Sequence, residues 1–292
     1  MTDIILLDGG MGQELVRRAG DKPTPLWSTQ VMMDHPGLVA EVHADYAAAG
    51  ATVHTTNTYA ILRDRLEGTG MEGQFEALHA AAIKEAEGVG VLAGSIGPLG
   101  ASYRPDLMPA HDVAVATYAE VANILAPKVD LIICETVASV AHARAVLEAA
   151  AATGKPVWLA LTVDDTDGTK LRSGEPVADV FAVAGAASAI LANCSAPEAI
   201  DAAIDVLATS GKPFGGYANG FTKISSGFLA DKPTVDALTA RKDLGPDEYA
   251  QFVMGWIAKG ATIVGGCCEV GPAHIAKLAD EIRAAGHNIV AP

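Results

Sequence analysis

The chain has 292 residues, with 20 Lys or Arg against 35 Asp or Glu, so its formal net charge is −15. This acidic balance argues against a nucleic-acid binder that relies on a basic surface, and against docking on anionic lipid. Half of the residues are hydrophobic and 19% are charged, which is a composition that can bury a large core. We therefore expect a folded chain of one or two domains.

Neither a membrane-spanning segment nor a leader is evident in the sequence. The longest apolar stretch covers residues 180–192, about 13 residues, whereas a spanning helix needs about 20. Residues 1–4 carry no basic region before an apolar segment. These features predict a cytoplasmic location.

Eight short apolar or β-branched runs recur along the chain and are predicted to be strands. They cover residues 4–7, 52–56, 91–93, 131–134, 157–161, 189–192, 214–217 and 262–264. The stretches between them are predicted helices, with the clearest helical patterns at 35–49, 113–126 (with Asp112 as N-cap), 197–210 and 272–285. Strands that alternate with helices pair in parallel through crossovers.

Eight such units in this length fit a (β/α)₈ TIM barrel, a fold of about 250 residues, as a single domain over residues 1–292. A doubly wound sheet is the alternative, and the absence of Gly-x-Gly-x-x-Gly after the first strand lowers a dinucleotide-binding version of it. The longest departure from the pattern is residues 220–246, a length of loop that is usually functional or mobile.

Polar or thiol side chains follow all eight predicted strands. In a TIM barrel the active site lies at this C-terminal face. The residues delivered there are Asp8, Asn57, Ser95, Glu135, Thr162, Cys194, Asn219 and the pair Cys267–Cys268.

The cysteines are the most informative of these residues. Cys194 follows the sixth predicted strand, and Cys267 and Cys268 follow the eighth, so the three thiols can converge. Three thiolates with one open position describe a catalytic Zn²⁺ site. Buried apolar cysteines and a redox-active vicinal pair remain as alternatives. Cys134 lies inside the fourth strand and is predicted to be a core residue.

Paired glycines and two carboxylates make a second candidate feature. Gly9 and Gly10 allow a ligand to approach backbone N–H groups, although a tight turn with nothing bound has the same pattern. Together with Asp8 and Glu135 they can hold a zwitterionic amino acid, with the acids on its ammonium group. A general acid–base pair is the alternative use of two such carboxylates.

Few aromatic residues occur, and several of them follow or flank strand ends. Trp27, Tyr59, Tyr103 and Tyr217 can bind a sulfonium or quaternary ammonium group by cation–π attraction, or they can pack as ordinary rim residues. The eight histidines form no metal-binding spacing and are predicted to be mostly structural.

With these residues in view, the sequence resembles the homocysteine S-methyltransferase family over nearly its whole length. The motifs that carry the resemblance are Asp8-Gly9-Gly10-Met11-Gly12, Thr56-Asn57-Thr58-Tyr59, Gly94-Ser95-Ile96-Gly97-Pro98, Glu135-Thr136, Asn193-Cys194 and Gly265-Gly266-Cys267-Cys268 with Pro272-x-His274-Ile275. The family fold is a TIM barrel, which agrees with the strand count.

The resemblance implies zinc on Cys194, Cys267 and Cys268, which are then the catalytic residues. It implies that homocysteine is held by Asp8, the Gly9–Gly10 backbone and Glu135. We expect Asn57, Ser95 and Trp27 to contribute to substrate binding. Trp27 matches an aromatic residue near the methyl donor of betaine-using relatives, whereas its neighbours Leu26 and Ser28 are similar to the S-methylmethionine branch.

The implied function is transfer of a methyl group from an onium donor, S-methylmethionine or S-adenosylmethionine first, to the thiolate of homocysteine, forming methionine. One alternative is a binding module for zinc and homocysteine that needs a separate corrinoid methyl carrier. Betaine or dimethylsulfoniopropionate as donor is another, and a redox or zinc-storage protein is a third. The partners expected are homocysteine and a small donor, and assembly into a homo-oligomer stays open.

Overall fold

The eight predicted strands all form, and they assemble into one parallel barrel. A computed structural model describes residues 1–20, 22, 24, 26–224, 227, 229 and 238–292. The barrel strands are β1 (Asp3–Leu6), β2 (Val53–Thr55), β3 (Val91–Ile96), β4 (Leu131–Val137), β5 (Val157–Leu161), β6 (Ala189–Asn193), β7 (Phe214–Ala218) and β8 (Ile263–Gly266). They pair in the order β2-β3-β4-β5-β6-β7-β8-β1.

The barrel closes between β1 and β2. A parallel bridge joins Leu7 to Val53, and the Thr52 N–H donates to Leu6 O at 2.7 Å. This closure confirms the predicted TIM barrel and excludes the doubly wound sheet. A short ninth strand, β9 (Asn288–Ile289), pairs with the start of β1 and was not predicted.

Helices surround the barrel. They are α1 (Met11–Ala19), α2 (Trp27–Asp34), α3 (Leu38–Ala48), α4 (Arg63–Leu66), α5 (Phe75–Glu85), α6 (His111–Leu125), α7 (Val140–Ala151), α8 (Pro197–Leu207), α9 (Pro246–Ala258) and α10 (Pro272–Ala284). Three of them, α1 to α3, lie between β1 and β2, so the first crossover is the most elaborate.

Two local predictions differ from the structure. No α-helix connects β5 to β6, because residues 162–188, all of them described, hold only short 3₁₀ helices at Val177–Ala182 and Ala184–Ala186. Asp112 is not an N-cap, since α6 begins at His111 behind Ala110. Asp112 lies instead in the first turn, where a negative charge favours the helix dipole.

Apolar side chains separate into an inner and an outer core, as the alternation of a strand requires. The interior of the barrel is filled by residues such as Leu7, Val53, Ile133 and Trp158. The larger core lies between strands and helices and includes Cys134, which is fully buried as predicted. A rigid barrel of this kind fixes where each strand end delivers its side chain.

Two further facts bear on function. Among the residues that the structure describes, no helix is long and apolar enough to cross a membrane. Much of the long segment predicted over 220–246 lies outside the described residues, namely 225, 226, 228 and 230–237.

Candidate active site

All ten predicted site residues line one cavity at the C-terminal end of the barrel, with a volume of about 470 Å³. They are Asp8, Gly9, Gly10, Trp27, Asn57, Ser95, Glu135, Cys194, Cys267 and Cys268. Two other strand-end residues, Thr162 and Asn219, are not among the described lining residues. The Thr162 hydroxyl instead donates to the backbone oxygen of Cys194 at 3.2 Å.

Three cysteine sulfurs meet on the floor of this cavity. Cys194 follows β6, while Cys267 and Cys268 follow β8, and their Sγ atoms all lie within 4.8 Å of one another. The Sγ atoms of Cys194 and Cys267 are 2.7 Å apart. Three soft sulfur ligands at this spacing fit a tetrahedral metal ion that keeps one position open.

The pKa values of the three thiols are shifted in opposite directions. Hydrogen bonds from the Cys267 and Cys268 thiols hold the pKa of Cys194 well below its usual range, against the opposing effect of burial. Hydrogen bonds of Cys267 with Cys194 and Cys268, together with burial, raise the pKa of Cys267 well above its usual range. The neighbouring thiols thus favour ionisation of Cys194, and a thiolate is the form of cysteine that binds a soft metal ion.

Backbone strain is confined to this region of the described chain. Five non-glycine residues have positive φ, namely Trp27, Tyr103, Thr136, Cys194 and Glu269. Three of them line the cavity, and the other two directly follow Glu135 and Cys268. Sparsely populated backbone conformations persist where surrounding contacts enforce them, and they cluster at functional sites.

Asp8 is a buried carboxylate held by the neighbouring strand. Its Oδ2 accepts a hydrogen bond of 2.8 Å from the Thr55 N–H, and the Thr55 hydroxyl donates to the same group at 3.1 Å. Burial raises the pKa of Asp8 well above its usual range, the Thr55 backbone bond opposes this, and the charge of Glu135 adds to it. A cationic ligand would relieve both unfavourable effects.

Two buried histidines lie behind Asp8, with ring nitrogens within 4.8 Å of its carboxylate. Burial lowers the pKa of His43 to about 3 and that of His54 to about 4. Both rings are therefore neutral near pH 7 and do not neutralise Asp8. Compensation for charge on Asp8 is therefore left to a ligand on the cavity side.

Glu135 is the second carboxylate of the cavity. Its Oε1 accepts a hydrogen bond of 2.8 Å from the Tyr217 hydroxyl, and its Oε2 accepts one from the Ser95 hydroxyl. Burial raises the pKa of Glu135 to about 7, and these two hydrogen bonds limit the rise. Asn57 is fixed nearby, since its Nδ2 donates to Ser28 O at 3.3 Å.

Close packing against neighbouring backbone explains why Gly9 and Gly10 are glycines. A Cβ on Gly9 would clash with the backbone oxygen of Val270, and one on Gly10 would clash with that of Cys267. The Gly10 N–H donates to Val270 O at 2.9 Å. The turn that carries the cysteine pair therefore already uses the Gly10 N–H, and the role of the Gly9–Gly10 backbone in holding homocysteine stays a prediction.

Aromatic rings form the upper wall of the cavity. Trp27 contacts Tyr59 edge to face, with ring centroids 6.2 Å apart. Tyr103 and Tyr217 also line the cavity. Interaction with the Tyr103 and Thr136 side chains lowers the pKa of Cys194 further, which places Tyr103 beside that sulfur. The rings thus surround the space above the thiol cluster.

A family model for homocysteine S-methyltransferase matches residues 5–282. The chain belongs to the homocysteine S-methyltransferase family. Members of this family are methyltransferases, so this chain is a methyltransferase, and the cavity is its candidate active site. A cluster of potential metal ligands at its floor fits that assignment.

Similar proteins agree along almost the whole chain. The homocysteine S-methyltransferase of Escherichia coli K12 is 30% identical, with 94% of each chain covered, and homocysteine S-methyltransferase 4 of Zea mays is 27% identical, with 97% and 90% covered. The crystal structure of the homocysteine methyltransferase MmuM from Escherichia coli in its metallated form superposes with a TM-score of 0.80. It is 28% identical, and 96% of each chain is covered.

Sequence reasoning missed Thr55, and it named Thr162 and Tyr217 without the contacts through which they shape this site. Thr55 anchors Asp8, the Tyr217 hydroxyl binds Glu135, and Thr162 holds the Cys194 backbone. All three hydroxyls lie within two residues of a predicted strand end, and this position is the sequence signal for such contacts. The partner of each hydroxyl depends on the register of the barrel strands, which the sequence does not give.

Proposed function

We propose that this family member transfers a methyl group from a small onium donor, S-methylmethionine or S-adenosylmethionine, to the sulfur of homocysteine at a zinc centre formed by Cys194, Cys267 and Cys268. The observation that carries the proposal is the meeting of three sulfurs beside two buried carboxylates in one aromatic-walled cavity. The family match over residues 5–282 supports the accompanying proposal that residues 1–292 act as one domain.

Homocysteine is an amino acid with a thiol at its far end, and the cavity complements both ends. Asp8 and Glu135 are buried acids whose raised pKa values show that charge on them is unfavourable without a ligand. An ammonium group placed between them supplies the missing countercharge. In that orientation the substrate side chain extends toward the cysteine sulfurs.

The chemical need at the sulfur is deprotonation. A free thiol has a pKa near 8.5, so only a few per cent is thiolate at pH 7. When zinc is bound, it supplies a Lewis acid that lowers the pKa of a substrate thiol at the position the three cysteines leave open. The protein's own part is to hold the three sulfurs, exclude water and fix the amino-acid end of the substrate.

The donor binds on the aromatic side of the same cavity. Trp27, Tyr59 and Tyr103 line the cavity, and the faces of aromatic rings attract a sulfonium cation. The homocysteine sulfur forms a bond to the methyl carbon as the carbon–sulfonium bond breaks, and the electron pair returns to the donor sulfur. The donor leaves as a neutral thioether without its sulfonium charge, so the aromatic wall binds the product less tightly than the donor.

A binding module that needs a corrinoid protein partner would be expected to carry an apolar docking rim around the cavity. Among the described residues, the exposed large hydrophobic side chains are Met1, Leu107 and Val113, and of these Leu107 lines the cavity. One exposed apolar side chain at the mouth does not support a protein docking surface. The observation favours a small donor.

The test combines zinc content with turnover. Protein purified under reducing conditions is assayed for zinc and then for methionine formation from homocysteine with S-methylmethionine, S-adenosylmethionine, betaine and dimethylsulfoniopropionate in turn. We expect about one zinc per chain and turnover with a sulfonium donor. Zinc without turnover on any small donor would contradict the proposed reaction and favour a partner-dependent role.

A further inference from the structure

Cys194 is the one proposed zinc ligand in a left-handed backbone conformation, with φ of +49°. An L-residue other than glycine rarely adopts this region, and the conformation persists only where neighbouring contacts enforce it. The sulfur position of Cys194 relative to the other two cysteines therefore depends on what holds the loop after β6.

The loop after β5 holds the Cys194 loop from both sides. The Thr162 hydroxyl donates to Cys194 O at 3.2 Å. On the other side, the Ala196 N–H donates to Asp165 Oδ1 at 3.0 Å. Asp165 Oδ2 also accepts from the Ile224 N–H at 3.1 Å, so the same carboxylate anchors the chain that follows β7.

One guanidinium group organises these anchors. Arg172 donates from Nη1 and Nη2 to the two carboxylate oxygens of Asp165, each at 2.9 Å, and from Nε to the Thr162 hydroxyl at 3.3 Å. Both side chains of the ion pair are nearly buried, with 11% and 10% of their surfaces exposed. A planar fork that satisfies three acceptors fixes their relative orientation.

The same guanidinium also acts on the sulfur side. Its Cζ lies 5.1 Å from the centre of the Tyr103 ring, and the Tyr103 side chain interacts with the Cys194 sulfur. Arg172 therefore contacts, through single intermediates, the backbone and the side chain of Cys194. Neither Arg172 nor Asp165 lines the cavity, so neither touches substrate directly.

We propose that Arg172, paired with Asp165, is a positioning residue that holds the Cys194 sulfur in place to bind the metal with Cys267 and Cys268. The inference rests on the proposed zinc role of the three cysteines. It assigns a function to a pair outside every sequence motif of the site. Outer residues that orient metal ligands commonly change metal affinity when they are replaced.

The test compares zinc affinity, measured by competition with a chromogenic chelator, in Arg172→Gln, Arg172→Lys and the wild type. We expect roughly tenfold or greater weakening in Arg172→Gln. A smaller loss is expected for Arg172→Lys, since an ammonium group keeps the charge but cannot serve all three acceptors. Arg63→Gln, which breaks an exposed pair with Glu120, is the matched control and should bind zinc as the wild type does.

A core variant distinguishes a role of Arg172 in positioning Cys194 from a role in stability alone. Ile204→Val removes a buried methyl group of α8 and should lower thermal stability without changing zinc affinity. Wild-type zinc affinity in folded Arg172→Gln, or a loss no larger than that of Ile204→Val, would overturn the proposal.

A metal-free readout keeps the inference distinct from the proposed function. In metal-free protein, alkylation of each cysteine can be followed by peptide mass spectrometry. Cys194 is buried, and its alkylation should be faster in Arg172→Gln than in the wild type, with Arg63→Gln unchanged. An unchanged alkylation rate would count against the positioning role even if the wild type bound no zinc, a result that would separately refute the proposed function.

Discussion

The hydroxyl of Tyr217 donates a hydrogen bond of 2.8 Å to Oε1 of Glu135, linking the end of β7 to the end of β4 across the barrel. Strands that are not neighbours in the sheet are thereby joined above the inner core. The bond favours the ionised form of Glu135, which burial disfavours. The carboxylate is thus oriented and kept ionisable near neutral pH.

Replacing Tyr217 with Phe removes that donor without changing the ring. A hydrogen bond to a charged group contributes about 1.5–3 kcal/mol, so homocysteine should bind roughly tenfold more weakly or worse. Isothermal titration of zinc-loaded protein measures this. Tyr118→Phe removes a buried hydroxyl that contacts His142 and the Leu99 N–H, none of which lines the cavity, and it should leave the affinity unchanged. Equal losses in the two variants would contradict the role of Tyr217.

The raised pKa of Glu135 makes stability depend on pH. The group ionises near 4.5 in the unfolded chain but at about 7 in the folded protein. Folding therefore takes up a proton between these values, and the free energy of unfolding falls as pH rises from about 4.5 to 7. The penalty is fully present above pH 7 and reaches about 3 kcal/mol at most.

Glu135→Gln cannot ionise and should remove this dependence. We expect the metal-free variant to gain stability over the wild type at pH 8, on the order of 1–3 kcal/mol, with little difference at pH 4.5. Urea unfolding at the two pH values measures it. The same difference at both values would show that Glu135 is ionised normally in the folded protein.

Asp8 should recognise the ammonium group of homocysteine rather than its thiol. Asp8→Asn removes the charge while keeping the shape, so homocysteine should bind roughly tenfold more weakly or worse. 4-Mercaptobutyrate, which lacks the ammonium group, serves as the control ligand. Its affinity should not fall in the variant. A parallel loss for both ligands would place Asp8 in a structural role only.

Trp27 should act on the donor and not on the acceptor. Cation–π attraction contributes about 0.5–2 kcal/mol, so Trp27→Leu should raise the donor KM by about 2- to 30-fold. The homocysteine dissociation constant should stay the same. Trp256→Phe alters a fully buried tryptophan of α9 and is the matched control for loss of an indole. A change in homocysteine affinity alone would contradict this placement.

Gly10 should be required for the shape of the cysteine turn. A methyl group there would clash with the backbone oxygen of Cys267, so Gly10→Ala should destabilise the protein by about 1–3 kcal/mol and weaken zinc binding. A Cβ on Gly185 meets no atom within 4 Å, and Gly185→Ala should be neutral. Zinc binding by Gly10→Ala as tight as in the wild type would refute the steric account.

The sequence predicted what depends on local pattern. Short apolar runs ending in polar residues locate all eight barrel strands, and the rule that strand ends share one face predicts that Asp8, Glu135 and the three cysteines lie together. Cys134 was separated from the other cysteines by its place inside β4. These features depend on the pattern of apolar and polar residues and on chain direction, and a single sequence contains both.

What the sequence could not predict depends on contacts between distant segments. The connection from β5 to β6 is predicted to be helical like the others, yet it folds into short 3₁₀ helices. The Gly10 N–H donates to the backbone oxygen of Val270, and β9 pairs with β1. Both contacts join residues near opposite ends of the sequence. Arg172 and Asp165 stand near each other in sequence, but their hold on Cys194 follows only from barrel register.

The central claim is that the three cysteines share one zinc ion and leave a position for the substrate sulfur. X-ray absorption at the zinc edge of zinc-loaded protein, recorded without and with homocysteine, counts the sulfur ligands directly. We expect three sulfurs at about 2.3 Å, and a fourth when homocysteine is added. Two or fewer sulfurs, or a count that homocysteine leaves unchanged, would contradict it.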